Sequence, residues 1–203
     1  MPQDVHQAVY WWGLSADKGD SQAQRRLADA YFNGLGIPVD LPLAAHWYQM
    51  AARSGDFESV EVLAGLYRAG TGVSIDYPKA VSLYRQAARK GSTSAQLSLG
   101  DMYEAGQGVP RNLVAAFAWN DLVIERKSTP ADRQLELLAR QSLPPEALKA
   151  LDEFAAKQRD LASGNVARLS KVLAPSEIAK ARLMVSAWQP GLELDDPGAS
   201  PKQ

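Results

Sequence analysis

Identical residues recur in this chain every 36 positions. Gly19, Gly55 and Gly91 keep that step, as do Tyr31, Tyr67 and Tyr103; Gly34, Gly70 and Gly106; and Gly36, Gly72 and Gly108. Leu27, Leu63 and Leu99 follow it, and Ala8, Ala44, Ala80 and Ala116 carry it through four cycles. A period of this length marks an array of short supersecondary units. Each is too small to bury its own apolar face and must stack on its neighbours.

Each unit reads as a helical hairpin. In Ser94–Ala105, Ala95, Leu99 and Met102/Tyr103 return at roughly helical spacing. The Gly-x-Gly that follows closes this first helix, because glycine takes a left-handed C-cap without a steric penalty. The second helix is predicted to start near Asp40, Asp76 or Asn112, whose side chains suit an N-cap, with Pro42 and Pro78 in the first turn. It runs through Ala80, Leu83, Tyr84, Ala87 and Ala88 and stops at Gly91. Alanines allow close helix approach, and Trp47, Tyr48 and Tyr84 fill the gaps. The expected fold is all-α: a right-handed α-α superhelix, or solenoid, with a concave inner surface.

Composition excludes several function classes. A net charge of −1 over 203 residues offers no basic stripe for nucleic acid. Without cysteine there is no disulfide framework and no thiolate ligand or nucleophile. No apolar run is long enough for membrane insertion, and the first residues lack the basic and apolar regions of a signal peptide. The chain therefore reads as soluble, in the cytoplasm, or in the periplasm after loss of a leader.

Residues able to carry chemistry are few. A dinucleotide loop needs a strand before it and a helix opening from it, whereas each Gly-x-Gly here ends a helix. His6 and His46 are the only histidines and lack the His-x-x-x-His spacing of a zinc helix. No serine lies in a Gly-x-Ser-x-Gly elbow. Glu58 with Glu61, and Asp101 with Glu104, share helix faces three residues apart, which reads as solvated charge rather than an acid–base pair. No cofactor, metal or catalytic role is expected. Phe32 differs from its repeat equivalents Arg68 and Glu104, which marks an exposed, variable position and a candidate contact.

The array enters at a second helix. Val5–Lys18, with Ala8, Trp11, Trp12 and Ala16, corresponds to Ala44, Trp47, Tyr48 and Ala52. A terminal cap should be polar outside, so the Trp11/Trp12 pair suggests a contact there, or an array continuing upstream. After Trp119 the pattern dissolves. Helices are expected at 130–141, 145–159, 164–173 and 176–188, with a looser 31-residue similarity linking Pro144 and Glu146 to Pro175 and Glu177. The expected organisation is an array over 1–126, diverged hairpins closing it over 127–188, and a tail over 189–203.

Two segments carry a resemblance. Trp47-Tyr48-x-x-Ala51-Ala52-x-x-Gly55 leads into Leu63-Ala64-x-x-Tyr67-x-x-Gly70-x-Gly72, and Tyr84-x-x-Ala87-Ala88-x-x-Gly91 leads into Leu99-Gly100-x-Met102-Tyr103-x-x-Gly106-x-Gly108. Both resemble the Sel-1-like repeat, a tetratricopeptide-like helical hairpin, over about residues 5–126. The resemblance implies that first helices line a concave groove. It places Gln22, Arg25, Asp29, Phe32 and Asn33 inward, then Glu58, Glu61 and Arg68, then Leu97, Asp101 and Glu104. It implies a non-enzymatic module that binds a protein or peptide as adaptor or regulator in bacterial signalling, envelope or secretion assemblies. Immunity against a secreted toxin is an alternative. Weak β-lactam hydrolysis, linked to cysteine-rich relatives, is disfavoured because this chain has no cysteine.

Overall fold

A computed structural model describes residues 4–125, 140 and 143–188. The described residues form helices α1 (Val5–Ala16), α2 (Ser21–Asn33), α3 (Leu41–Arg53), α4 (Phe57–Ala69), α5 (Tyr77–Arg89), α6 (Thr93–Ala105), α7 (Leu113–Glu125), α8 (Pro145–Leu169) and α9 (Pro175–Ala187). From α2 to α7 every helix has 13 residues, so the 36-residue period is two equal helices plus a long and a short connection. The chain divides into two compact units, residues 1–87 and 88–203.

The helix starts are those the polar residues predict. Asp40 Oδ1 accepts the Leu43 N–H at 2.9 Å, Asp76 Oδ1 that of Lys79 at 2.9 Å, and Asn112 Oδ1 that of Ala115 at 3.0 Å. Each bond satisfies a donor that the first helical turn would leave unpaired, a contribution of about 1 kcal/mol. The first glycine of each long loop is a left-handed C-cap, as at Gly70 with φ 72°. The second glycine has a separate duty. A Cβ on Gly72 would lie 2.2 Å from the Leu41 carbonyl oxygen, so the loop rests directly on the start of α3.

In the first unit α1 packs on α2, α2 on α3 and α3 on α4. Val9, Ala16, Ala23, Leu27 and Ala30 form a buried cluster, rimmed by Trp12, Tyr31, Ile37 and Trp47. Small residues at the contacts bring the helices close, and the large rings close the edges. Gln24, 1% exposed, donates from Nε2 to the Ala16 carbonyl at 3.1 Å, capping the end of α1 from α2. In the second unit Gln96 does the same toward Ala88 at 3.5 Å.

The second unit centres on α7, in which every residue from Ala115 to Val123 is buried. A helix apolar all round needs cover on every side, and α6, α8 and α9 supply it. Leu97, Val123 and Ala162 form one cluster of this core, and Asn165 Nδ2 donates to Asn120 Oδ1 at 2.9 Å between α8 and α7. The separate helices expected at 145–159 and 164–173 are one 25-residue helix. Gly164 does not interrupt it, because Ala162 and Leu169 are buried on the same side and hold the backbone helical on either side of the glycine. The expected helix 130–141, apart from Arg140, and the tail 189–203 lie outside the described residues.

Candidate partner-binding surface

The first helices expose one face each. On α2 it carries Gln22, Arg26 and Asn33 with the half-buried Asp29 between them; on α4 it carries Glu58, Val62 and Ala69 with half-buried Gly65. The spacing of four, three and four residues keeps each set on one side of its helix.

The expected contact residues separate into two kinds. Asp29, Asn33 and Glu58 lie on the exposed faces, and the Asn33 side chain is folded back to donate to the Asp29 backbone carbonyl at 2.9 Å. Arg25, by contrast, reaches from α2 to the start of α4. Its Nε lies 3.3 Å from Asp56 and its Nη1 2.5 Å from Glu58, which ties one first helix to the next. Glu61 and Arg68 on α4 are half-buried and engaged in interactions of their own.

Phe32, expected as an exposed ring, is half-buried. It meets Tyr48 edge-on with centroids 6.4 Å apart. The Tyr48 hydroxyl donates to Asp29 Oδ1 at 2.5 Å, and burial, reinforced by that hydrogen bond, pushes the phenol well above its ordinary range. Asp29 therefore faces the surface with one oxygen already committed.

In the second unit Leu97 is not a surface contact. It is 5% exposed and packs against Ala162, because α8 lies over that side of α6. Glu104 is held by Arg168 of α8, with NH2 to Oε2 at 2.7 Å, and this hydrogen bond lowers its carboxyl below the usual range. Asp101 keeps an exposed position on the same helix. The repeat positions of Arg25 and Leu97 thus face the following first helix within each unit. Family geometry alone could not separate these stacking positions from the exposed face. The exposed position is the residue one further on, since Arg26 and Val62 are exposed where Arg25 and Glu61 are partly buried, and two adjacent arginines carry no sequence signal for this.

At the N-terminal end the tryptophan pair splits. Trp11 is 63% exposed beside Tyr10 at 62%, while Trp12 turns onto the core with the Arg26 guanidinium 6.0 Å above its ring. His6 and His46 are exposed, and His46 lies edge-on to Trp47. Among the described residues no cluster of His, Asp and Glu could hold a metal ion, and no helix is long and apolar enough to cross a membrane.

Residues 1–20, 21–56, 62–92 and 93–119 match the Sel1 repeat, which is more than half of the chain. The chain belongs to the Sel1 repeat family. Two solved Sel1-type structures are similar to it. One, a Sel1 repeat protein from Oxalobacter formigenes, is 30% identical with a TM-score of 0.51, over 57% of this chain and 46% of that one. The other is c5321, a protective antigen present in uropathogenic Escherichia coli strains and displaying an SLR fold. It is 30% identical with a TM-score of 0.53, over 83% of this chain and 36% of that one. The chain thus spans less than half the length of either. A comparison with curated proteins finds no match. Sel1 repeats generally serve as scaffolds for protein–protein interaction and are typically non-catalytic. The matched positions in this chain are the packing and turn residues described above, so membership accounts for the fold and leaves the partner to the variable faces.

Proposed function

We propose that this chain is a non-catalytic interaction module that binds a protein or peptide through the exposed faces of its first helices. It would act as an adaptor or regulator in a bacterial signalling, envelope or secretion assembly. The observation that carries this reading is the face of α2 and α4 in the first unit. There α2 presents Arg26, Asp29 and Asn33, charged and polar groups of both signs, and α4 presents Glu58 with the exposed apolar Val62. Mixed charge around an apolar anchor suits a polypeptide. The charges set orientation and encounter rate, and the apolar contact supplies affinity.

The contact set is Arg26, Asp29, Asn33, Glu58 and Val62 on the first unit; Asp101 is an exposed position of the second unit, tested separately. Arg25 and Phe32 in the first unit, and Glu104 in the second, tie neighbouring helices together beneath their own faces. Trp11, with Tyr10, is a further contact at the N-terminal end, and Trp12 is not. The test uses the full chain as bait in extract of its host. The captured protein is identified and its affinity measured against Glu58→Lys, Val62→Asp and Asp101→Lys. A loss of about tenfold or more with altered salt dependence is expected for the charge reversals. Unchanged affinity and salt dependence for all three would remove these faces from the interaction.

A further inference from the structure

Gly65 sits in the middle of α4, where glycine is the least favourable residue after proline. Packing does not demand it. A Cβ there would meet only the Tyr84 hydroxyl, at an ordinary 3.6 Å. Gly100 of α6 is different, because its Cβ would come within 2.5 Å of the Asn120 side chain. At Gly65 the missing side chain leaves a notch in the exposed face, next to Val62 and Ala69.

The floor of that notch is a phenol. Tyr84 is 6% exposed, and its hydroxyl points at the place a residue-65 side chain would fill. It has no hydrogen-bond partner among the described residues. The preceding hairpin shows what the position can hold. Tyr48, 36 residues earlier, donates a hydrogen bond from its hydroxyl to Asp29, and the residue 36 after Asp29 is Gly65. The acceptor built into the first hairpin is absent from the second. The hydroxyl of a buried ring, facing a gap, is a donor that gains from an acceptor placed there.

We propose that the notch over Gly65 seats the main chain of a polypeptide partner, with a peptide carbonyl oxygen accepting the Tyr84 hydroxyl proton. The inference rests on the interaction reading above and names its anchor point. A neutral acceptor suffices for a neutral phenol donor, and a main chain offers a carbonyl oxygen at every residue. A glycine also admits backbone more closely than any other residue.

The test uses peptides selected on the intact chain from a displayed library of random dodecapeptides, with affinities read by fluorescence polarisation. Tyr84→Phe removes only the donor and is expected to weaken binding by about three- to tenfold, the range of one net hydrogen bond. Gly65→Ala fills the notch and is expected to weaken binding by a similar factor, while the melting temperature holds or rises. Gly65→Asp supplies an internal acceptor, as Asp29 does for Tyr48, and is expected to abolish binding. Glu58→Lys separates the two readings. Loss there with unchanged affinity in Tyr84→Phe and Gly65→Ala overturns the notch and leaves the face as the site. Unchanged affinity in all the variants overturns both.

Discussion

Arg168, on the long helix α8, grips both carboxylate oxygens of Glu104, 64 residues earlier in the chain. The pair joins α6 to α8, the same two helices whose Leu97 and Ala162 are buried together about two turns away. It is partly open to water, so its net contribution is modest, about 0.5 kcal/mol. Single substitutions Glu104→Gln and Arg168→Gln should each lower stability by about that amount. A double-mutant cycle followed by thermal unfolding should return a coupling of the same size; coupling indistinguishable from zero would reduce the pair to a bystander. The Glu104 carboxyl is held below its ordinary 4.5. Its stabilising effect is therefore complete above pH 4.5 and fades as pH falls through the lower folded value.

Asp121 works in the opposite sense. It is 8% exposed within α7, one of its oxygens has no hydrogen-bond partner, and burial raises its carboxyl above the ordinary 3.8, helped by Glu125 and opposed by Arg182. The folded chain holds this proton to higher pH than the unfolded one. Its contribution to stability thus declines as pH rises from 3.8 through the folded value, and stays unfavourable above it. Asp121→Asn should stabilise the fold by about 1 kcal/mol at neutral pH, with the gain vanishing near pH 4. Urea unfolding at the two pH values decides it, and destabilisation at neutral pH would show that the charge is compensated.

Gly72→Ala should be among the most damaging of single-methyl additions. The residue sits at φ 70°, and the new Cβ would fall 2.2 Å from the Leu41 carbonyl oxygen. Backbone strain and the clash together imply a loss of about 3 kcal/mol or more. Gly55→Ala, at φ 93° with nothing within 4 Å, should cost only about 1 kcal/mol. Equal losses at the two positions would mean that the loop does not rest on α3.

Much of the fold was legible in the sequence because the repeat fixes what is hardest to infer elsewhere. Asp40, Asp76 and Asn112 mark helix starts by their chemistry, and their 36-residue spacing confirms each with the next. Legibility failed where a feature occurs only once in the chain. Gly164, flanked by Ser163 and Asn165, has the composition of a turn, yet burial of Ala162 and Leu169 keeps α8 continuous. The candidate surface was legible only in part. Helical spacing could place Arg25, Asp29 and Phe32 on one broad side of α2, but not tell which lean on a neighbour. That depends on where the next first helix begins, and Arg25 is claimed by Asp56 and Glu58 there. Leu97 was lost to the surface for the same reason, since α8 could not be foreseen lying against it.

The uniform 13-residue helices carry an evolutionary consequence. An in-frame duplication of any 36-residue stretch between α2 and α7 would lengthen the array with no new loop to invent, because both connections are copied with their glycines. Growth past α7 has no such freedom. Asn120 is matched to Asn165 and Glu104 to Arg168, so a unit inserted there would divorce each residue from its mate. Length variants of this chain should therefore keep the register from α6 to α8 intact and differ upstream of it.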